Sequence, residues 1–340
     1  MSLLRLPLRA ALLATGVALS SAPVASQTVQ LRYDASVASG PITGRAFFFI
    51  ARTDRSEPRL QASSSRNSEP FFGIDVEGLR PGQMATIDAS TLGFPVASLK
   101  QLPAGEYFVQ GMILPYTQFT RADGHTIWAH MDAWEGQRFN NAPGSLVSAV
   151  QKIRIDPATN PTIALSLTTV LPPVATLTDS PWVQRFKMTS KKVSAFWNHD
   201  MPIGAVVLLP NGYAQNPTKR YPVVYTVGHF SERAPFGFTF DGCDTPETAQ
   251  AKAARLVRGA REPGCEFQQA WTAGKVPEFI AVFIQHPTPF YDDSYVLNSA
   301  NNGPYGDAIA QELIPEIDRR YRTIPSSHAR TLTGGSTGGW

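Results

Sequence analysis

From Thr28 the chain alternates: Val29, Leu31 and Tyr33 are apolar, and Thr28, Gln30, Arg32 and Asp34 are polar. A period of two is the pattern of a strand with one buried and one wet face. The same pattern returns in ITGRAFFFIA, FFGIDV, EYFVQGMIL, VQKIRI and TIALSL. Turn sequences such as Arg80-Pro81-Gly82 and Pro103-Ala104-Gly105 separate the runs. Together they predict a small antiparallel β-sandwich over residues 27–172. Leu171-Pro172-Pro173 ends it, and residues 173–180 read as a linker, because proline cannot donate to a sheet ladder and stiffens a connection.

After about Ser180 the pattern changes. Strands are expected near Trp182–Thr189 and Ile203–Leu209, followed by two nearly continuous apolar runs, YPVVYTVG at 221–228 and FIAVFIQ at 279–285. Runs without alternation suit strands covered on both faces, as in a parallel sheet. In DAIAQELIPEIDRRY, residues Ile309, Leu313, Ile317 and Tyr321 fall four apart and predict a helix from Asp307, kinked at Pro315. ARTLTG then reads as a short strand. Strands alternating with helices give an α/β domain over 181–340.

Composition narrows the class. Of 340 residues, 43% are hydrophobic and 17% charged, so a packed core is expected and global disorder is not. Residues 1–26 read as a signal peptide: Arg5 and Arg9 lead, a small apolar run follows, and Val24 and Ser26 suit cleavage before Gln27. That run is shorter than the roughly 20 residues a membrane span needs, so no stable membrane anchor is expected after cleavage, and the protein is expected to be exported, periplasmic or secreted. Without the two leader arginines the net charge falls from +3 to +1, which does not support nucleic acid as a partner. In an oxidising compartment Cys243 and Cys265 can pair. Between them Thr245, Pro246 and Glu247 suit a helix start and Gly259 or Gly264 its end, so the bridge would staple a helical insertion, worth about 3 kcal/mol.

The chemistry sits in TLTGGSTGGW. Gly334-Gly335-Ser336-Thr337-Gly338 is a G-x-S-x-G pentapeptide after a β-run. A serine becomes a nucleophile when a base takes its proton, and one solution places it on a tight strand-to-helix turn flanked by small residues. A Gly-Ser spacer is the other reading of such a stretch, but spacers do not follow a β-run. On the nucleophile reading, the Thr337 N–H lines an oxyanion hole. The second donor belongs to the loop after an earlier strand, here Gly228-His229-Phe230, with Phe230 preferred and His229 the alternative.

KRYPVVYTVGHF, NSANNGPYGDAIAQELIPEIDRRYR and ARTLTGGSTGGW together resemble the putative-esterase family of α/β hydrolases, which includes feruloyl esterases, esterase D-like enzymes and mycolyl transferases. The resemblance covers roughly residues 180–340. It implies Ser336 as nucleophile and Thr337 as oxyanion donor. Family members often carry His-Gly where this chain has Gly228-His229. In this fold the triad order is serine, acid, histidine, so the acid and the base are expected downstream of Trp340, with the α/β-hydrolase domain present only in its N-terminal part. This stretch alone is expected to be inactive. The expected reaction is hydrolysis of a small-molecule or polysaccharide-linked ester, without a cofactor. A peptidase or acyltransferase of the same fold is the alternative, and a non-catalytic surface or carbohydrate-binding protein is another.

Two further stretches carry polar groups. The loop after Gln285 would line an active site at the carboxyl end of its strand, which makes Asn298, Asn301, Asn302 and Tyr305 substrate-binding candidates. Asp292 and Asp293 are too few to argue calcium. Asp123, His125, His130 and Asp132 lie in DGHTIWAHMDAWEG at spacings that match no metal motif, so that segment reads as an ordinary loop and no metal site is expected.

Overall fold

The computed structural model describes residues 27–156, 159, 162–241, 243 and 264–339. The leader-like stretch, the helix expected between Thr245 and Gly259, and Trp340 lie outside the described residues. Before the linker run β1 (Thr28–Tyr33), β2 (Ile42–Ala51), β3 (Phe71–Leu79), β4 (Ala85–Ile87), β5 (Gly93–Phe94), β6 (Gly105–Pro115), β7 (Thr117–Thr120), β8 (Thr126–Ala129), β9 (Leu146–Ser148), β10 (Gln151–Ile155) and β11 (Thr162–Val170). After it come β12 (Val183–Thr189), β13 (Pro202–Leu208), β14 (Val223–Val227), β15 (Ile280–Gln285), β16 (Asn298–Ser299), β17 (Gly303–Pro304) and β18 (Arg330–Gly334).

The first sheet departs from the expected antiparallel sandwich in two ways. It is one continuous sheet, in the order β4-β1-β11-β9-β6-β2-β3-β5 with β10 also on β6, and β1 runs parallel to β11. It closes over itself to make a core. β1 and β6 are three places apart, about 14 Å in a flat sheet, yet a Cβ on Gly111 of β6 would lie 2.6 Å from Leu31 of β1. Leu31, Phe48, Phe72, Val109 and Leu165 fill the space between.

The hairpin β7–β8 stands outside this sheet. Its Phe119 and Ala129 belong instead to the core of the second sheet, among Trp197, Ile203, Tyr225 and Ile309. The second core therefore draws side chains from before the linker.

The second sheet has the order β12-β13-β15-β14-β18. β12, β13 and β15 pair antiparallel, and β15, β14 and β18 are parallel. Alternate residues pack to opposite faces. Ala205, Val207 and Val282 meet Trp197, Leu313 and Ile317, whereas Val206, Leu208 and Ala281 meet Phe238 and Trp271. Helices cover both faces, which is why these strands lack polar alternation. Sequence periodicity missed the helix Lys191–Trp197, which Ser190 caps by accepting the Val193 N–H (3.2 Å) and Asn198 ends in a left-handed conformation. The helix from Tyr305 to Arg320 buries Ile309, Leu313 and Ile317, and Tyr321, just past its end in an extended conformation, is buried with them. Pro315 does not break the helix. A wide π turn at Ile309–Leu313, in which the Ile314 N–H bonds the Ile309 carbonyl, absorbs the disturbance. Cys243 and Cys265 form a disulfide with Cα atoms 5.3 Å apart, and the helix after it begins at Gly264.

Candidate active site

β18 runs parallel beside β14, with Gly334 opposite Val227. The chain then turns through Ser336, whose φ is +53°. A serine in the left-handed region is uncommon and strained, and here it sits on a tight turn between a strand and a short helical turn. A short helical turn, Ser336–Gly339, follows. Both flanking glycines are required sterically. A Cβ on Gly334 would lie 2.1 Å from the Gly338 carbonyl oxygen, and one on Gly338 would lie 2.0 Å from the Val227 carbonyl oxygen. Ser336 is exposed and Thr337 is buried beneath it.

The loop after β14 passes beside this elbow, since Gly338 also borders the Gly228 amide. Its Ser231 N–H is fixed by Gln285 Oε1 of β15 at 2.9 Å. The N–H groups of His229 and Phe230, just before that anchor, meet no hydrogen-bond acceptor among the described residues. Counted within this sheet, the serine follows the fifth strand in sequence and these open donors follow the third.

The His229 side chain is turned away to the loop after β15. Its Nδ1 lies 2.9 Å from Asp293 Oδ2 and 3.1 Å from Asp292 Oδ1. The Asp292 hydrogen bond, partly offset by burial, holds the imidazole above its ordinary pKa. These three groups have donor atoms within 4.8 Å of one another, close enough to hold a cation, but the ring proton already serves both carboxylates. His286 is fully buried, which pushes it down to about 4, and its neutral Nδ1 accepts the Ser294 N–H at 2.8 Å.

The structure gives the four substrate-binding candidates local duties. Asn298 Oδ1 accepts the Asp307 N–H at 3.0 Å. Asn301 accepts from Arg121 through its carbonyl (3.1 Å), and the Asn302 carbonyl accepts from Trp197 Nε1 (2.9 Å). Tyr305 corrects the reading outright: its ring is fully buried and its hydroxyl donates to the Pro287 carbonyl at 2.7 Å, so it meets no solvent. The residues of this loop that do face the elbow are Tyr295, Val296 and Leu297, across a groove of about 600 Å³ from Thr337 and Gly338. Tyr295 and Val296 have φ of +56° and +53°, unfavourable for non-glycine residues and most of all for a β-branched one.

The stretch from His130 to Gln137, which the sequence presents as part of an ordinary loop, carries a buried acid cluster. His130 Nε2 lies 2.7 Å from Glu135 Oε1, and Asp132 accepts the N–H groups of Trp134 and Gln137. Burial, helped by the Glu135 charge, raises the Asp132 carboxyl well above the usual carboxylate range, against those two N–H bonds. The folded chain thus keeps this proton to higher pH than the unfolded chain does. Its stabilisation is present at low pH and fades as pH rises above the unfolded value of about 4. His229, also raised, acts in the same direction in any Asp132 variant. The drop in melting temperature from about pH 5 to about pH 8 is therefore expected to shrink in Asp132→Asn; equal drops would refute the assignment.

No family model matches the chain, and no curated protein matches it. Among solved structures it is similar to a ferulic acid esterase at 21% identity, covering 46% of this chain and 51% of that one, with a TM-score of 0.31. An IroE-like serine hydrolase from Shewanella oneidensis aligns at 23% identity over 46% of this chain and 43% of its own, with a TM-score of 0.23. A ferulic acid esterase from the anaerobic fungus Anaeromyces mucronatus aligns at 18% identity over 48% and 53%, with a TM-score of 0.24. The chain thus spans about half the length of these structures.

Proposed function

We propose that this chain carries the nucleophile and the oxyanion donors of a serine hydrolase that cleaves carboxylic esters through an acyl-enzyme on Ser336. The observation that carries this reading is the left-handed Ser336 between two glycines that tolerate no side chain, beside a loop with two open N–H groups. Ser336 Oγ attacks the ester carbonyl, and the amides of Thr337 and Phe230 receive the oxyanion. The alcohol leaves, and water then releases the acid.

Among the described residues no histidine is hydrogen-bonded to Ser336: His125 is held by Asp123, His130 by Glu135, His199 by the Asp200 carbonyl, His229 by Asp292 and Asp293, His286 by Ser294 and His328 by Ser326. We assign base and acid to the full-length gene product, in the order serine, acid, histidine. The leader-like residues 1–26 and the Cys243–Cys265 bridge support export, because disulfides persist in oxidising compartments. Among the described residues, no helix is long and apolar enough to cross a membrane.

The test is a fluorophosphonate probe applied to the full-length gene product. Stoichiometric labelling is expected, lost in Ser336→Ala. Absence of labelling, or labelling that survives the substitution, overturns the proposal.

A further inference from the structure

The loop from His130 to Gln137 belongs by sequence to the part of the chain that builds the first sheet, yet it closes on the loop that carries Phe230. The Phe230 ring stands edge-on to Trp134, with centroids 5.1 Å apart and planes at 88°. Gly136 packs against the same ring, and a Cβ there would lie 2.5 Å from it. Trp134 Nε1 donates to Glu232 Oε1 at 3.1 Å, two residues beyond Phe230. Gln137 Nε2 donates to the Thr288 carbonyl at 2.7 Å, in the loop after β15. One short segment thus touches both loops that border the elbow.

The segment is also held in an unfavourable conformation. Trp134, Gly136 and Gln137 have φ of +76°, +70° and +54°. Residues held this way persist where their surroundings over-determine them, and they cluster at functional sites. Here Asp132 binds the N–H groups at both ends of the turn, and Glu135 binds the Ala133 N–H (2.8 Å) as well as His130.

We propose that this loop is a positioning element of the active site. Its clamp on the Phe230 ring sets the direction of the Phe230 N–H, and so makes the first half of the chain part of the catalytic unit. The reason lies in the backbone bonds. Ser231 is fixed by Gln285 and the His229 side chain by Asp292 and Asp293, but among the described residues the N–H groups of His229 and Phe230 have no hydrogen bond. Between those two anchors the Phe230 peptide is held through its ring, which packs on Trp134 and Gly136. The inference rests on reading Ser336 as nucleophile and Phe230 as donor.

The test uses the full-length gene product and its Trp134→Ala, Trp134→Phe and Gly136→Ala variants, each checked for native circular dichroism at the assay temperature. The readouts are kcat and KM for p-nitrophenyl acetate and the rate of fluorophosphonate labelling. A misdirected donor loses transition-state stabilisation, and an error near 1 Å costs about 100-fold. Trp134→Ala is expected to lower kcat about 10- to 100-fold with KM within about threefold. Trp134→Phe, which keeps an aromatic ring against Phe230, should recover most of that loss. Gly136→Ala, whose added carbon would lie 2.5 Å from the ring, should lower kcat likewise, so the contact remains testable if Trp134→Ala fails to fold.

A folded Trp134→Ala or Gly136→Ala protein with wild-type kcat overturns the inference, as does a loss confined to KM or a Trp134→Phe variant no better than the alanine. A wild-type protein that the probe never labels overturns the underlying reading of Ser336 instead. Normal labelling of the wild type with unaffected variants overturns the positioning role alone.

Discussion

Gly338→Ala is expected to slow labelling of Ser336 by at least about 100-fold, in line with the cost of misplacing a reacting group by about 1 Å. The added methyl would sit 2.0 Å from the Val227 carbonyl oxygen. Neither partner can yield cheaply: Val227 is the last residue of β14, in register with Gly334, and Gly338 closes its own turn by donating to the Gly335 carbonyl at 3.0 Å. Relief requires the elbow to lift from the sheet, which moves Ser336 and the Thr337 N–H together. Gly334→Ala should behave alike, because its methyl meets the Gly338 carbonyl oxygen at 2.1 Å. Gly335→Ala is the control, since nothing lies within 4 Å of its added carbon. Labelling rates with the fluorophosphonate probe decide the matter. A Gly338→Ala protein labelled at the wild-type rate would mean that the turn adapts and that the elbow is not built as described.

The elbow was legible in the sequence because its signals are local. A β-run, two glycines and a serine occupy nine residues, and steric exclusion around the turn dictates the glycines. The buried strands were legible for the same reason: alternation marked β1, β10 and β11, and unbroken apolar runs marked β14 and β15. What the sequence concealed is long-range. Trp134 and Glu232 are 98 residues apart, and nothing in WAHMDAWEG announces that its turn faces Phe230. Left-handed residues usually betray themselves as glycine or asparagine, but Trp134, Tyr295 and Val296 adopt that conformation without either signal. The loop after β15 does border the elbow, but Tyr305 is buried in its frame and Asn298 accepts the Asp307 N–H, whereas the less conspicuous Tyr295 to Leu297 face the groove.

The linker posed a similar problem. Pro172 and Pro173 suggest a boundary between independent units, but composition cannot show where the hairpin β7–β8 packs. Trp197 is where that packing concentrates. It is fully buried, edge-on to Phe119 of the hairpin (5.2 Å) and to Phe290 of the loop after β15 (5.8 Å), and its Nε1 donates to the Asn302 carbonyl. Arg121, just beyond β7, binds the neighbouring Asn301 carbonyl at 3.1 Å.

Trp197→Ala should therefore do more than open a cavity in the second core. The cavity costs about 3–5 kcal/mol, and the Asn302 carbonyl loses its donor for a further cost of about 1–3 kcal/mol if it stays buried. Native stability is only about 5–15 kcal/mol in all. The hairpin loses its anchor at the same time, so the loop that follows it, from His130 to Gln137, loosens over Phe230. The expected result is a melting temperature lower by about 10 °C or more, at roughly 2–4 °C per kcal/mol for a chain of this order. The wild type should melt in a single transition. Differential scanning calorimetry reads both quantities. If the wild type melts in two transitions and Trp197→Ala shifts only the one that belongs to the second sheet, the halves fold independently. The hairpin would then be a passive contact rather than the joint through which the first half of the chain supports the site.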